Sequence, residues 1–286
     1  MAGTFKTALL LTALTLLFVY IGKAVGGNAG MTIAFVMALI MNLGAYWYSD
    51  RIVLSMYGAR EVTPETAPRL YQIVSSVARR AGLPVPRVYI IPTPTPNAFA
   101  TGRDPSHSAV AVTQGLLQML EADELEGVIA HEIGHIKHRD ILISSVAATL
   151  AGAIGYLATM AQWAFIFGGG VRGDDDSPLG GIGALLLVLL APVMALIVQM
   201  SISRAREFEA DRAAAEITRR PLSLATALKK ISFGCERVPM RAANPATAHM
   251  FIVNPLRGGL AGLFSTHPPV EERIARLERM AYSLSL

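Results

Sequence analysis

Cysteine is nearly absent. Cys235 stands alone among 286 residues, so no disulfide can form within the chain. Nothing around it resembles a nucleophile's setting, and it reads as a small core or surface residue. Charge is also scarce. Only 16% of residues are Asp, Glu, Lys or Arg, against roughly a quarter in an ordinary soluble protein, while 52% are hydrophobic. The net charge is +4, yet no basic stripe with interleaved aromatics accompanies it. That excludes a nucleic-acid-binding surface and leaves contact with an anionic membrane as the better fit.

In place of charge the chain carries long apolar runs. Thr7 to Gly22, Ala24 to Ser49, Ile141 to Phe167 and Gly180 to Ser203 contain no charged residue and read as four transmembrane helices. The cluster Gly26 to Gly30 reads as a tight turn between the first two. A cleaved signal peptide, with Lys6 as its basic end, is the other reading of the first run. The second run follows at once and makes a hairpin more natural. Tyr46, Trp47 and Tyr48, just before Asp50 and Arg51, have the character of an interfacial anchor. The polar stretches alternate with these runs. The expected division is a transmembrane hairpin over 1–50, a cytoplasmic part over 51–140, a second hairpin over 141–203 and a second cytoplasmic part over 204–286. Lys and Arg number nine in 51–140 and thirteen in 203–286, but only Arg172 falls in 168–179. The positive-inside rule therefore puts both termini in the cytoplasm. Asp174 to Asp176 lack the spacing and closing Glu of a calcium loop and read as a solvated loop.

Within 51–140, Pro64 to Ala81 reads as a helix capped by Thr63, with Leu70, Ile73, Val74 and Val77 on one face. Arg87 to Ile91, Asn97 to Gly102 and Ser108 to Val112 read as strands, the last two joined through Arg103-Asp104-Pro105. Such a small sheet offers an edge where an extended peptide could add as one more strand. Asp123 to Lys137 has helical apolar spacing at Leu125, Val128, Ile129, Ile133 and Ile136, with acidic residues near its start.

That last helix carries His131-Glu132-Ile133-Gly134-His135. Histidines four apart project from one helix face and can close on one metal ion. Imidazole nitrogen suits zinc. Glu132 is displaced around the helix and is suited to act as general base on the attacking water. Gly134 leaves room beside the metal or a packed neighbour. The charges flanking the motif, among them Asp123, Glu126, Arg139 and Asp140, exclude a site at bilayer depth. Two histidines leave a zinc site incomplete, and Ile141 stands where a metzincin would have its third histidine. His138 would splay badly as a ligand and reads as surface or an outer contact. Glu207 and Asp211, four apart after the fourth run, are better placed. Glu207 could complete the metal site, Asp211 could hold the free ring N–H of a ligand histidine, and Arg204 or Arg206 could steady Glu207 or meet substrate backbone. Residues 244–264, rich in Gly, Pro and Asn with exposed-looking Met250 and Phe251, read as a lid. His267, before a final helix from Pro269 to Met280, is suited either to donate to an oxyanion or to cap a turn.

His131 to His135, taken with Ser203-Arg204-Ala205-Arg206-Glu207-Phe208-Glu209-Ala210-Asp211, resembles the HtpX-type membrane zinc metalloproteases, relatives of the CAAX prenyl endopeptidases. The likeness extends through Pro96-Asn97-Ala98-Phe99-Ala100-Thr101-Gly102 and Ser265-Thr266-His267-Pro268-Pro269. It implies an α-helical membrane protein with a gluzincin-like α+β protease domain. It also implies one zinc ion at His131, His135 and Glu207, catalysis by Glu132, and substrate contacts near Asn97, Ala98 and Phe99. The implied activity is hydrolysis of misfolded or damaged membrane proteins at the cytoplasmic face of the inner membrane, under stress and alongside other quality-control proteases. The alternatives are a prenyl-type endopeptidase and a non-proteolytic metal-binding adaptor.

Overall fold

The computed structural model describes residues 2–167, 203–240, 244, 246–255 and 268–284. Helix α1 (Ala2–Met56) is not one rod: Gly26 (φ −129°, ψ 18°) and Gly27 (φ 58°, ψ −143°) leave helical geometry, and the chain doubles back there. Asn42 spans the resulting hairpin, donating from Nδ2 to the Leu11 carbonyl (3.3 Å) and to Thr15 Oγ1 (2.8 Å). The turn takes two residues rather than the five expected from the glycine cluster, because Gly22 and Gly30 let the arms touch. A Cβ on Gly30 would lie 2.3 Å from the Gly22 carbonyl oxygen.

Helix α5 (Ile141–Phe167) packs on this hairpin through a cluster of Leu10, Leu14, Ala45, Leu142, Val146, Leu150 and Ile154. Ile33, Phe35, Met37, Ile40 and Leu43 are left exposed. Among the described residues, Gly26–Met56 is the one helix long and apolar enough to cross a membrane, with Thr7–Lys23 and Ile141–Ile154 as shorter apolar stretches. The expected fourth span, the acidic loop at 168–179 and His267 lie outside the described residues, save Ser203 at the span's end.

The polar segments build a four-stranded sheet of order β1-β2-β4-β3 from β1 (Arg60–Val62), β2 (Arg87–Ile91), β3 (Ala98–Asp104) and β4 (His107–Thr113). Only the β2–β4 pair is parallel. Helix α2 (Pro68–Arg80) starts four residues later than Thr63 and Pro64 suggest. Ala67, held in a non-helical conformation before Pro68, stops the helix from extending back, and residues 63–66 close a turn instead.

Successive strand residues point to opposite faces of the sheet, and the two faces have different partners. Val88, Ala98, Ala100, Val110 and Val112 join the main core. That core takes in α2, α3 (Gln114–Met119), α4 (Ala122–Lys137), α6 (Arg204–Thr218), α7 (Pro221–Arg237) and α8 (Val270–Leu284). Tyr89, Ile91, Phe99, Ala109 and Ala111 face the other way, against Val53 and Leu54 of α1, Tyr57 just after it, and Met250 and Phe251. The sheet is thus clamped between the helices of the motif and the end of the apolar hairpin. Met250 and Phe251 are buried, not exposed: the Phe251 ring packs edge-on against Tyr57 (5.1 Å) and Phe99 (5.2 Å). Cys235 is buried as well, its thiol donating to the Pro96 carbonyl at 3.3 Å.

Candidate active site

Helix α4 begins with a reciprocal cap. The Glu121 side chain accepts from the backbone of Glu124, and Glu124 Oε2 accepts from the Glu121 N–H at 2.9 Å. The helix ends at His138, which is exposed, and Arg139 takes a left-handed conformation (φ 59°). Arg139 N donates to Ile136 O and Asp140 N to His135 O, the paired bonds of a Schellman cap. The turn swings Asp140 back to within 3.6 Å of His135 Nδ1.

Helices α4 and α6 cross closely because Gly134 has no side chain. A Cβ there would meet Ala210 Cα at 3.1 Å and Ala213 Cβ at 3.3 Å. Gly134 therefore makes room for a packed helix. Gly134→Val is expected to push α6 off α4 and to weaken metal binding on the order of tenfold, read by chelator competition.

The crossing brings Glu207 onto the histidines. His131 Nε2 and His135 Nε2 are 3.2 Å apart, Glu207 Oε2 is 3.8 Å from the first, and Glu207 Oε1 is 3.6 Å from the second. Asp211 Oδ1 lies 2.9 Å from His131 Nδ1. Glu132 is buried on the same wall and lines a cavity of about 30 Å³ with His131, His135, Glu207 and Ala100. Among the described residues, the structure does not bring Arg204, Arg206, Asn97, Ala98 or Phe99 to this cavity. Arg204 is exposed, and Arg206 turns to Asp140 (3.7 Å). Asn97 spends its amide on the Val253 carbonyl (2.8 Å), and Ala98 and Phe99 are fully buried in the two cores. The outer edge of β3 is partly filled too, since Ile252 N donates to the Ala98 carbonyl at 3.1 Å.

A model of peptidase family M48 matches residues 64–281. The chain belongs to that family. It is 57% identical over 280 residues to a protease HtpX homolog of Syntrophotalea carbinolica, covering 97% of this chain and 99% of that one. Another, from Thermococcus sibiricus, is 52% identical over 283 residues and covers 98% and 97%. Among solved structures, Ste24p of S. mikatae shares the fold with a TM-score of 0.50 at 19% identity, over 93% of this chain and 62% of that one. The protein is accordingly a metallopeptidase, mostly helical with a small mixed sheet.

The residues present suit the metal an M48 peptidase requires. Ligands about 2.0–2.1 Å from a tetrahedral ion lie roughly 3.3 Å from one another, and the nitrogen and oxygen atoms above are 3.2 to 3.8 Å apart. Around them the carboxylates of Glu132, Asp140, Glu207 and Asp211 outnumber the guanidiniums of Arg206 and Arg273 by two, which suits a divalent cation. Electrostatics sort the groups. Burial, reinforced by the Arg273 charge, lowers His131 to about 4, so its ring stays neutral and can present a lone pair. Burial opposes charge on His135 as well, but the neighbouring carboxylates of Asp140 (3.6 Å), Glu207 and Glu132 outweigh it and raise it, an excess of negative charge that a divalent cation would neutralise in place of the proton. Burial raises Glu132 to about 7, and the nearby His135 only partly offsets this. One Glu132 oxygen, Oε2, is buried with no hydrogen-bond partner among the described residues.

Two residues here escaped the sequence reading. Asp140 gave no signal, because only the left-handed Arg139 aims it. Arg273 did leave one: it shares the helical face of Val270, Ile274 and Leu277, and an arginine on an apolar face needs a buried partner. It is fully buried. Its guanidinium forks onto Asp211, from Nε to Oδ2 at 2.9 Å and from Nη2 to Oδ1 at 2.7 Å. Nη1 donates to the Ile252 carbonyl at 2.8 Å.

Proposed function

We propose that the chain is a zinc endopeptidase of the cytoplasmic membrane, spanning it four times and cutting misfolded or damaged membrane proteins at the cytoplasmic face. The observation that carries the chemistry is the convergence of His131, His135 and Glu207 beside Glu132 in one cavity. His131, His135 and Glu207 would hold the zinc ion. When bound, it supplies Lewis acidity, making water nucleophilic at neutral pH and polarising the scissile carbonyl. Glu132 takes the proton of the attacking water at its Oε2 and returns it to the leaving amine, a task suited to a carboxyl near 7. Asp211 accepts from His131 Nδ1–H and so fixes the tautomer that leaves Nε2 free for the ion. Asp140, 3.6 Å from His135 Nδ1, faces the other ligand ring as a carboxylate without hydrogen-bonding to it.

The membrane reading rests on the apolar α1 hairpin, on α5 packed beside it, and on the distribution of Lys and Arg. The divisions at 50, 140 and 203 follow from it, and so does the expectation that both polar parts share one side of the bilayer. Oxyanion donation by His267 belongs to the same proposal.

Casein digestion by the full-length protein in detergent tests the chemistry. Activity should be lost on dialysis against a chelator and regained with about one equivalent of zinc, and the metal-free protein should unfold at lower temperature. Undiminished digestion by metal-free protein would overturn the proposal.

A further inference from the structure

A second groove, sharing no lining residue with the active-site cavity, lies where the apolar surface of α1 ends. It encloses about 430 Å³ between Trp47, Tyr48, Asp50 and Arg51 of α1, Val85 and Arg87 before and on β2, and Arg103 and Ser106 to Ser108 at the β3–β4 turn. Its charge is mainly positive. Arg87 is paired with Asp50, and Arg103 Nε lies 3.6 Å from Asp104. Among the described residues no carboxylate pairs with Arg51. Two of these guanidiniums sit against aromatic rings: Arg103 is 4.8 Å from the Trp47 ring centre and Arg51 is 5.9 Å from that of Tyr48. Trp47 and Tyr48 are themselves about half exposed, and the exposed apolar row of Phe35, Leu39 and Leu43 leads up to them.

We infer that this groove binds the headgroup of an anionic phospholipid. The shape and chemistry match in order along α1. Acyl chains have the apolar row to lie against, the aromatic pair sits at the depth where such rings gather, and the arginines stand where a phosphodiester would be. A phosphodiester anion is held by guanidinium forks and by the exposed Ser106 hydroxyl. The continuity of the groove with the apolar row selects a lipid over a free phosphate. The site joins α1 to the β3–β4 turn, so an occupied headgroup would tie the sheet beside the active site to the membrane surface. The inference rests on the proposal that α1 lies in a bilayer.

The test is native mass spectrometry of the full-length protein released from detergent with phosphatidylglycerol or phosphatidylcholine added. The wild type should retain phosphatidylglycerol with about tenfold preference. Arg51→Gln/Arg103→Gln should lose that preference, keep its phosphatidylcholine binding, and digest casein in detergent as before. Equal retention of both lipids by the wild type, or an unchanged preference in the double variant, would overturn the site. Competition by soluble glycerol phosphate at the same concentration as the lipid would overturn the lipid assignment in favour of a free phosphate. Failure to partition into vesicles of either composition would instead overturn the membrane reading itself.

Discussion

Glu132→Gln is expected to slow casein digestion by about 10²–10⁴-fold while zinc content stays at the wild-type level. The substitution preserves shape. Glutamine fills the same buried volume and can still accept the backbone hydrogen bond that Ala100 gives the carboxylate. It cannot take a proton. Burial favours the protonated form of the Glu132 carboxyl, and the amide removes its ability to take and give up a proton without emptying the cavity. Rate and metal content together separate a lost base from a lost site. Digestion near the wild-type rate would mean that the proton goes elsewhere.

The second large effect is expected at Arg273. Arg273→Met keeps much of the side chain's volume but leaves the buried Asp211 carboxylate without its cationic partner, held only by the neutral His131 ring. Breaking a buried pair in this way costs about 3–5 kcal/mol. It also frees the Ile252 carbonyl, which Arg273 holds from the far side. Thermal unfolding should fall by on the order of 10 °C, and zinc affinity should drop because Asp211 no longer orients His131 correctly. Asp211 gives the same pair a pH signature. Burial would raise its carboxyl, but the charge and hydrogen bonds of Arg273 overcome this and hold it at about 2, below the ordinary value of 3.8. A depressed carboxyl stabilises the fold above its unfolded pKa, so the contribution should be complete above about pH 4 and vanish as pH falls through 2. An unfolding temperature unchanged by Arg273→Met would show the pair to be dispensable.

The sequence made some of this legible and hid the rest for physical reasons. Local rules carried far where they applied. The helical stripe through Leu125, Val128, Ile129 and Ile133 marked α4, and Arg87 to Ile91 coincides with β2. Helix starts were less legible where two prolines competed: Pro64 fits the first position of a helix, but Pro68 takes it. β1 escaped notice because three residues, two of them charged, carry no period. Burial was misjudged where polar and apolar residues mix without a period. Met250 and Phe251 looked like an exposed lid and instead close the face of the sheet against Tyr57. At the site, the i, i+4 pairs His131/His135 and Glu207/Asp211 are visible in the chain because a single helix spaces them. The contact of Asp140 depends on a left-handed residue that no spacing rule reports, whereas the apolar face around Arg273 signals its burial but not its partner, which lies on a helix 62 residues earlier.

Metal analysis of Glu207→Ala is the most direct measurement. If Glu207 completes the site begun by His131 and His135, the dialysed wild type and Glu132→Gln should each carry one zinc per chain. Glu207→Ala should carry about a tenth of that or less. A full equivalent of zinc in dialysed Glu207→Ala, with digestion intact, would contradict the site.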